Sequence, residues 1–140
     1  MKITGAQTMI VTEKTAESKD FYVRHLGFQE VFDFDWYVQI RSASNPAIEL
    51  SFLRPRRENQ PAAFQPAFPG EGVTLNLYVE DADVEHARLV KEGVAIDCPL
   101  KNEPWGERHF IVRDPSGVAV NLAAMNAPVA PEYAQENATS

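Results

Sequence analysis

The feature of the sequence that most constrains its fold is an internal repeat, in which a strand, a helix and three further strands follow one another twice. Gln7 in the first copy aligns with Thr74 in the second, an offset of 67 residues, and Gly27 aligns with Gly93, an offset of 66 residues. Two copies of one supersecondary unit at a nearly constant spacing predict two modules of the same topology. We therefore expect an α+β chain of two tandem βαβββ modules.

Capping residues and turns set the boundaries of the predicted elements. Thr15 opens the first helix and Gly27 ends it, since a Thr hydroxyl satisfies a free amide of the first turn and Gly accepts the left-handed backbone of a helix end. In the second copy either Asp81 or Asp83 caps the helix, and Gly93 ends it. The predicted strands are 3–11, 28–34, 36–42 and 47–53, then 72–79, 94–100, 108–114 and 118–124.

The same signals predict how the chain is organised. We expect a single domain over 1–124, with modules 1–54 and 72–124, a linker 55–71 and a flexible C-terminal tail 125–140. The linker is polar and contains four prolines, which favours an extended connection over a structured element. The tail is rich in Pro and small polar residues, and we expect it to be poorly ordered unless Tyr133 packs against the domain.

Composition excludes several classes of function. With 13 Lys and Arg against 20 Asp and Glu, the net charge is −7, which disfavours nucleic acid because binding there requires neutralising phosphates. The apolar runs are too short to cross a membrane, and the first residues do not read as a secretory signal, so we expect a cytoplasmic protein. The single cysteine, Cys98, excludes a disulfide within the chain, and three histidines restrict the possible metal sites.

Several motifs in a fixed order carry a resemblance to a known family. They are QTMIV at 7–11, DFYVRHLGF at 20–28, AIELSFL at 47–53, LYVEDAD at 77–83 and DPSGVAVNL at 114–122. Their order and spacing resemble the vicinal oxygen chelate superfamily, which includes glyoxalase I, extradiol dioxygenases and bleomycin-resistance proteins. The resemblance implies a glyoxalase/bleomycin-resistance fold, in which the modules form a cup-shaped mixed sheet around a ligand or metal. It also implies a homodimer, with the modules paired within one chain or across a swapped dimer.

The resemblance further implies where a metal would bind. The matching positions are Gln7, Glu49, Thr74 and Asn121. In glyoxalase I the second module supplies His and Glu where this chain has Thr74 and Asn121. Because divalent catalytic metals need imidazole or carboxylate donors, a set with one carboxylate predicts no metal, or at most a weakly bound one.

Strand alternation indicates which side chains face the cup. Ile48, Leu50 and Phe52 are expected to pack on the helix, which leaves Glu49 and Ser51 facing the cup. The same alternation leaves His109, Ile111 and Asn121 facing it in the second module. The candidate ligand-binding residues are Phe32, Phe34, Trp36, Glu49, Trp105, His109 and Asn121.

Each candidate has a structural alternative. Phe32 and Phe34 read equally as core residues, and Glu49 as an inherited position hydrogen-bonded to Gln7 or to water. His109 has a structural reading as a satisfied histidine on a sheet. Arg41 and Arg108 are anion-binding candidates or solvated strand ends. The basic cluster of Arg54, Arg56 and Arg57 reads as solvated.

The leading functional hypothesis is a non-metal binding protein, resembling bleomycin-resistance proteins, that sequesters a small aromatic or cationic compound such as an antibiotic. The acidic charge and the inward Glu49 favour the cationic guest. The alternative is a metal-dependent lyase or isomerase of the glyoxalase I type, with an atypical site completed by His109 or a substrate oxygen. A third reading is a module whose cup serves a partner protein or stays empty.

Overall fold

The computed structural model describes residues 1–134, and the chain divides into two compact units. The first unit comprises residues 1–72 together with 114–118, and the second comprises 73–113 together with the chain from 119 onward. Each unit contains one four-stranded mixed sheet and one α-helix. No helix within residues 1–134 is long and apolar enough to cross a membrane.

The first unit has the predicted strand–helix–three-strand order. Its elements are β1 (Thr8–Val11), α1 (Thr15–His25), β2 (Phe28–Asp33), β3 (Tyr37–Ser42) and β4 (Glu49–Leu53). The strands are arranged β1-β4-β3-β2 in the sheet, with β1 parallel to β4 and the other neighbours antiparallel. The parallel pairing requires a crossover connection, which α1 supplies after β1.

The second unit repeats this topology. Its elements are β5 (Thr74–Tyr78), α2 (Ala82–Lys91), β6 (Cys98–Asn102), β7 (Arg108–Arg113) and β8 (Ala119–Ala124). The strand order is β5-β8-β7-β6, again with one parallel pair, between β5 and β8. The α+β class and the tandem βαβββ modules predicted from the sequence are therefore confirmed.

The helix ends follow the predicted signals with one exception. Asp81 caps α2 by accepting a hydrogen bond from the amide of Val84 at 3.1 Å. Gly27 and Gly93 have φ angles of +71° and +84° at the helix ends, a backbone region that glycine adopts without strain. The prediction that Thr15 caps α1 is wrong. Thr15 is already the first helical residue and is buried, and no side chain caps that helix.

The core of each unit lies between the helix and one face of the sheet. Tyr22 of α1 packs edge-on against Phe28 and lies 5.7 Å from the ring of Phe52, measured between centroids. In the second unit His86 of α2 packs edge-on against Phe110 at 5.0 Å. The expectation that Ile48 packs on the helix is wrong, because it precedes β4 and its exposed fraction is 37%.

The segment between the two copies is folded, so the prediction of an extended connection is wrong for its first half. Residues 62–64 form a 3₁₀ helix. The amide of Arg56 donates to the carbonyl of Gln65 at 3.1 Å, which closes the segment into a loop. Proline limits the backbone at isolated positions, but hydrogen bonds from glutamine side chains supply local order that composition alone did not predict.

A buried polar contact fixes the turn at residues 114–117 to α1 within the first unit. The hydroxyl of Tyr22 donates to Asp114 Oδ2 at 2.7 Å, and the amides of Ser116 and Val118 donate to Asp114 Oδ1. Burial raises the pKa of Tyr22 well above its ordinary value. Burial also raises the pKa of Asp114, against the opposing effect of these hydrogen bonds. The Asp-Pro-Ser-Gly segment thus forms the predicted turn and also anchors it to the helix.

Replacing Tyr22 with Phe should lower the free energy of unfolding by about 1–3 kcal/mol, because a buried acceptor loses its donor. Urea denaturation followed by circular dichroism measures this loss. Tyr78→Phe is the matched control, because Tyr78 has an exposed fraction of 69% and should change stability little. Equal stability of Tyr22→Phe and the wild type would contradict the role of the contact.

Candidate functional site

The sheet face opposite α1 is the candidate site of the first unit. Phe52 contacts α1, so its neighbours Ser51 and Leu53 point to the other face of the sheet. We call this the first open face. Cross-strand pairing adds Gln39 beside Ser51, and Tyr37 beside Leu53. The predicted orientation of Glu49 and Ser51 away from the helix agrees with this register.

The polar half of the first open face is an internally paired network. Arg41 donates to Glu49 Oε2 at 2.9 Å, and Gln39 donates to the same oxygen at 3.3 Å. The Ser51 hydroxyl donates to Gln7 Oε1 at 2.6 Å. Glu49 thus pairs with Arg41 and is not bonded to Gln7. Arg41 is therefore neither an anion-binding residue for a ligand nor a solvated strand end, the two alternatives that the sequence left open. This pairing removes the argument that an unpaired Glu49 attracts a cation.

Three aromatic residues form a stacked row along β2 and the turn that follows it. Phe32 and Phe34 lie 6.1 Å apart, and Phe34 and Trp36 lie 5.9 Å apart, with interplanar angles of 16° and 15°. Their exposed fractions are 48%, 51% and 40%. We call these three residues the aromatic row. Their exposure excludes the alternative in which Phe32 and Phe34 are buried core residues.

A cavity of about 340 Å³ lies beside the aromatic row. It is lined by Met9, Trp36, Tyr37, Leu53, Arg57, Glu58, Asn59, Gln60, Pro61 and Phe64. The sheet supplies one wall, and the folded loop between the two copies supplies the other. Its volume and mostly apolar lining are those of a small-molecule pocket.

Sequence reasoning found only Trp36 among the residues that line this cavity. Strand alternation places Met9, Tyr37 and Leu53 on the same face as Ser51, so the available pattern was sufficient to identify them. The loop wall carried no such pattern. Arg57, expected to be solvated, instead stacks on Trp36 with its guanidinium carbon 4.3 Å from the ring centroid. Its neighbour Arg56 pairs with Glu13.

The second unit has a polar network on the face opposite α2. His109 Nδ1 lies 2.7 Å from Asn121 Oδ1, and His109 Nε2 lies 2.7 Å from Glu103 Oε2, so each ring nitrogen is within hydrogen-bond distance of an oxygen. Asn121 Nδ2 in turn donates to Asn76 at 3.1 Å and to Glu107 at 2.9 Å, which fixes the orientation of the amide. His109 and Asn121 are both buried. The structure thus brings these two candidate residues together.

The partners of His109 favour a protonated ring. Each ring nitrogen faces an oxygen, and the carboxylate of Glu103 and the amide oxygen of Asn121 accept hydrogen bonds, so the doubly protonated imidazolium satisfies both contacts. Burial by itself lowers the pKa of His109, but hydrogen bonds to Glu103 and Asn121 and the nearby charge of Glu107 outweigh it, and the pKa is raised. The hydrogen bond from His109, followed by that from Lys101, lowers the pKa of Glu103. His109 and Glu103 therefore form an ion pair.

Trp105 lies at the edge of the second unit and contacts the chain beyond β8. Its indole N–H donates to Glu107 at 3.0 Å, and its ring meets Tyr133 edge-on at 5.8 Å between centroids. Trp105 also forms a β-bridge with Val129. The predicted flexible tail thus has contacts up to residue 134, and its remainder, 135–140, lies outside the described residues.

The other strand-end arginine of the second unit is also paired. Arg108 donates through two nitrogens to the carboxylate of Asp83, each at 2.8 Å, and this contact lowers the pKa of Asp83. A third nitrogen donates to Asn102 at 3.0 Å. Because Arg108 is paired with Asp83, it is neither an anion-binding residue for a ligand nor a solvated strand end, the two alternatives that the sequence left open.

Comparison with known proteins agrees with this topology. A family model described as the Glyoxalase/Bleomycin resistance protein/Dioxygenase superfamily matches residues 6–122. The chain belongs to this superfamily. The resemblance stated from the motifs is thereby confirmed, together with the α+β fold class and its two βαβββ modules.

The individual proteins that resemble this chain have low sequence identity or match only a part of it. TnmS3, an antibiotic binding protein from Streptomyces sp. CB03234, is 26% identical with a TM-score of 0.69, and the alignment covers 89% of this chain and 98% of that one. A superfamily member from Nocardioides has a TM-score of 0.76 at 19% identity, covering 98% and 91%, which shows the shared fold. An uncharacterized protein of Mycobacterium bovis is 35% identical over 48 residues, which are 34% of this chain and 32% of that protein. The chain thus spans about a third of the length of this curated relative.

The positions at which this superfamily would supply metal ligands do not fit a divalent metal in this chain. Glu49 is the strongest donor among them, and its carboxylate already accepts from Arg41 and Gln39. The amide oxygens at the Gln and Asn positions accept from side chains of their own units, and Thr74 offers only a hydroxyl. Within residues 1–134 no three His, Cys, Asp or Glu side chains group as a metal site requires.

The Glu103–His109 pair should make stability depend on pH. Because the pKa of His109 is raised on folding, its contribution is fully present below its unfolded value of 6.5 and is lost as the pH rises through the folded value. The wild type should therefore lose unfolding free energy as the pH increases from about 6. Urea denaturation across this range measures the loss.

Glu103→Gln should flatten this pH profile, because the neutral amide no longer stabilises the imidazolium. Glu71→Gln is the control, since Glu71 is an exposed acidic residue, and it should retain the wild-type profile. A Glu103→Gln profile as steep as that of the wild type would refute the ion pair.

Proposed function

We propose that this protein binds and sequesters a small planar aromatic compound, such as an antibiotic, without making or breaking a covalent bond. The observation that carries the proposal is the aromatic row beside the cavity of the first unit. Binding would protect the cell by lowering the free concentration of the compound.

The energetics of the aromatic row support a planar guest. Phe34 and Trp36 are stacked on each other yet remain partly exposed, so a bound ring would remove further apolar surface from water. Burial contributes about 25 cal/mol per Å² of apolar area, and an aromatic pair adds about 0.5–1.5 kcal/mol. A flat ligand gains from both terms, whereas a small polar substrate gains from neither.

The sequence hypothesis allowed an aromatic or a cationic compound as the ligand, and the charges of the first open face favour the aromatic compound. The carboxylate of Glu49 is paired with Arg41 at 2.9 Å. A cationic guest would have to compete with this guanidinium for the carboxylate. The proposed ligand is therefore defined by its rings.

The similarity to TnmS3 supports an antibiotic as the class of guest, since that relative is an antibiotic binding protein. The chemistry at the metal-ligand positions supports binding over the lyase alternative, because the carboxylate donor there is already engaged by Arg41. The proposal retains two expectations from the sequence as predictions, a homodimer and a cytoplasmic location.

Intrinsic fluorescence tests the proposal directly. The chain has two tryptophans, so Trp105→Phe leaves Trp36 as the sole indole reporter. A panel of planar aromatic antibiotics, anthracyclines and anthraquinones among them, should include members that quench this signal saturably. Calorimetry on the wild type should give the same dissociation constants.

Trp36→Leu should weaken binding of those members about tenfold, since a stacking partner of about 1.4 kcal/mol is lost. Trp105→Phe is the matched aromatic control and should bind like the wild type, because Trp105 belongs to the second unit and does not line the cavity. Absence of saturable quenching across the panel would contradict the proposal. So would zinc, nickel or manganese retained stoichiometrically after dialysis and lost in Glu49→Ala.

A further inference from the structure

The cavity has a cationic group on its loop wall. Arg57 is half-buried there, with its guanidinium carbon 4.3 Å from the centroid of Trp36. Within residues 1–134 no ion pair joins Arg57 to a carboxylate, whereas Arg56 pairs with Glu13 and Arg41 with Glu49. Arg57 thus brings a positive charge that has no ion-pair partner within residues 1–134 to a mostly apolar cavity, which Glu58 also lines.

The backbone holds Arg57 in this position. Its carbonyl accepts from the amide of Gln60 at 3.2 Å and from Gln65 Nε2 at 3.0 Å. Gln60 Nε2 also donates to the carbonyl of Phe64 at 2.7 Å, which ties the two ends of the wall together. These contacts order the loop before any ligand binds, so less entropy is lost on binding.

Two residues of this wall have a backbone conformation that side chains rarely adopt. Arg56 and Asn59 have φ angles of +56° and +64°. Left-handed conformations at non-glycine residues cost about 1–3 kcal/mol each and tend to cluster where a protein clamps a ligand. These two residues lie on either side of Arg57, so their left-handed turns set the path of the loop around it.

The geometry of the guanidinium decides what it can still bind. The guanidinium carbon lies over the Trp36 ring, 4.3 Å from its centroid, and the N–H bonds of the group lie in its own plane and point outward from that carbon. An in-plane fork of donors matches a carboxylate in a bidentate contact. The adjacent Glu58 is exposed, so its charge is hydrated and offsets that of Arg57 less than a buried partner would.

We propose that the ligand of this cavity is a planar aromatic acid, whose rings lie against the apolar lining and whose carboxylate pairs with Arg57. The inference rests on the proposed function and specifies its ligand class. It reverses the preference for a cation that the net charge of −7 and Glu49 suggested. Arg57 is then the residue that determines specificity.

The test compares three probes of one ring system on the 140-residue chain by calorimetry: anthraquinone-2-carboxylate, the neutral 2-carboxamide and the cationic 2-aminomethyl compound. The carboxylate should bind about tenfold more tightly than the amide, and the cation most weakly. Raising the salt concentration should reduce this preference.

Three variants assign the preference to a residue. Arg57→Gln should remove it, while Arg54→Gln, at an exposed arginine outside the cavity lining, should retain it. Glu58→Gln should bind the carboxylate as tightly as the wild type or more tightly. Thermal unfolding confirms that each variant is folded.

The outcomes separate this inference from the function on which it rests. Equal or tighter binding of the amide or the cation, a preference that survives Arg57→Gln, or weaker acid binding by Glu58→Gln would overturn the role of Arg57 and leave aromatic binding standing. The inference also fails if antibiotics of the panel bind and the carboxylate probe does not. Failure of both the probes and the antibiotic panel would overturn the proposed function itself.

Discussion

The packing of one helix against one face of a four-stranded sheet is the constraint on which the rest of each unit depends. In the first unit Tyr22 fills the helix side of the sheet, against Phe28 and Phe52. Strand alternation then forces every second side chain onto the other face, which α1 leaves uncovered. Because each sheet has only one α-helix within residues 1–134, the core forms on one face and the opposite face has no α-helix on it. The proposed ligand site lies on that opposite face of the first unit.

The open faces of the two units differ in what they leave available. Glu49 is matched by Arg41, and Glu103 by His109, so the inward-facing carboxylates are held by cations of their own unit. Such pairing satisfies groups that would otherwise be costly to remove from water. The aromatic row and the adjoining cavity remain as a partly exposed apolar surface on the first unit, and the proposed ligand is one that gains from burying it.

Much of the fold could be predicted from the sequence because the repeat, the turns and the glycines act locally. Gly27, Gly93 and Asp81 end or begin helices through contacts within a few residues. The orientation of Glu49 followed from alternation alone. The partner of Glu49 did not, because Arg41 lies on a neighbouring strand and any of several groups on that face was an equally good partner.

The cavity was the part of the candidate site that the sequence least predicted. Its loop wall is ordered by the side-chain amides of Gln60 and Gln65, which bond to backbone carbonyls at positions no periodicity marks. A run of three arginines within four residues reads as a solvated charge cluster, yet Arg57 packs on Trp36. Long-range stacking of this kind depends on where the loop returns to the sheet, and that is a tertiary property.

A crystal structure of the 140-residue chain grown with anthraquinone-2-carboxylate would show where the ring system binds. We expect density for the ring system in the cavity of the first unit, in contact with Trp36 and Phe64, with the carboxylate against Arg57. A ring system bound away from this cavity, or a metal ion coordinated by Gln7 and Glu49, would contradict this expectation.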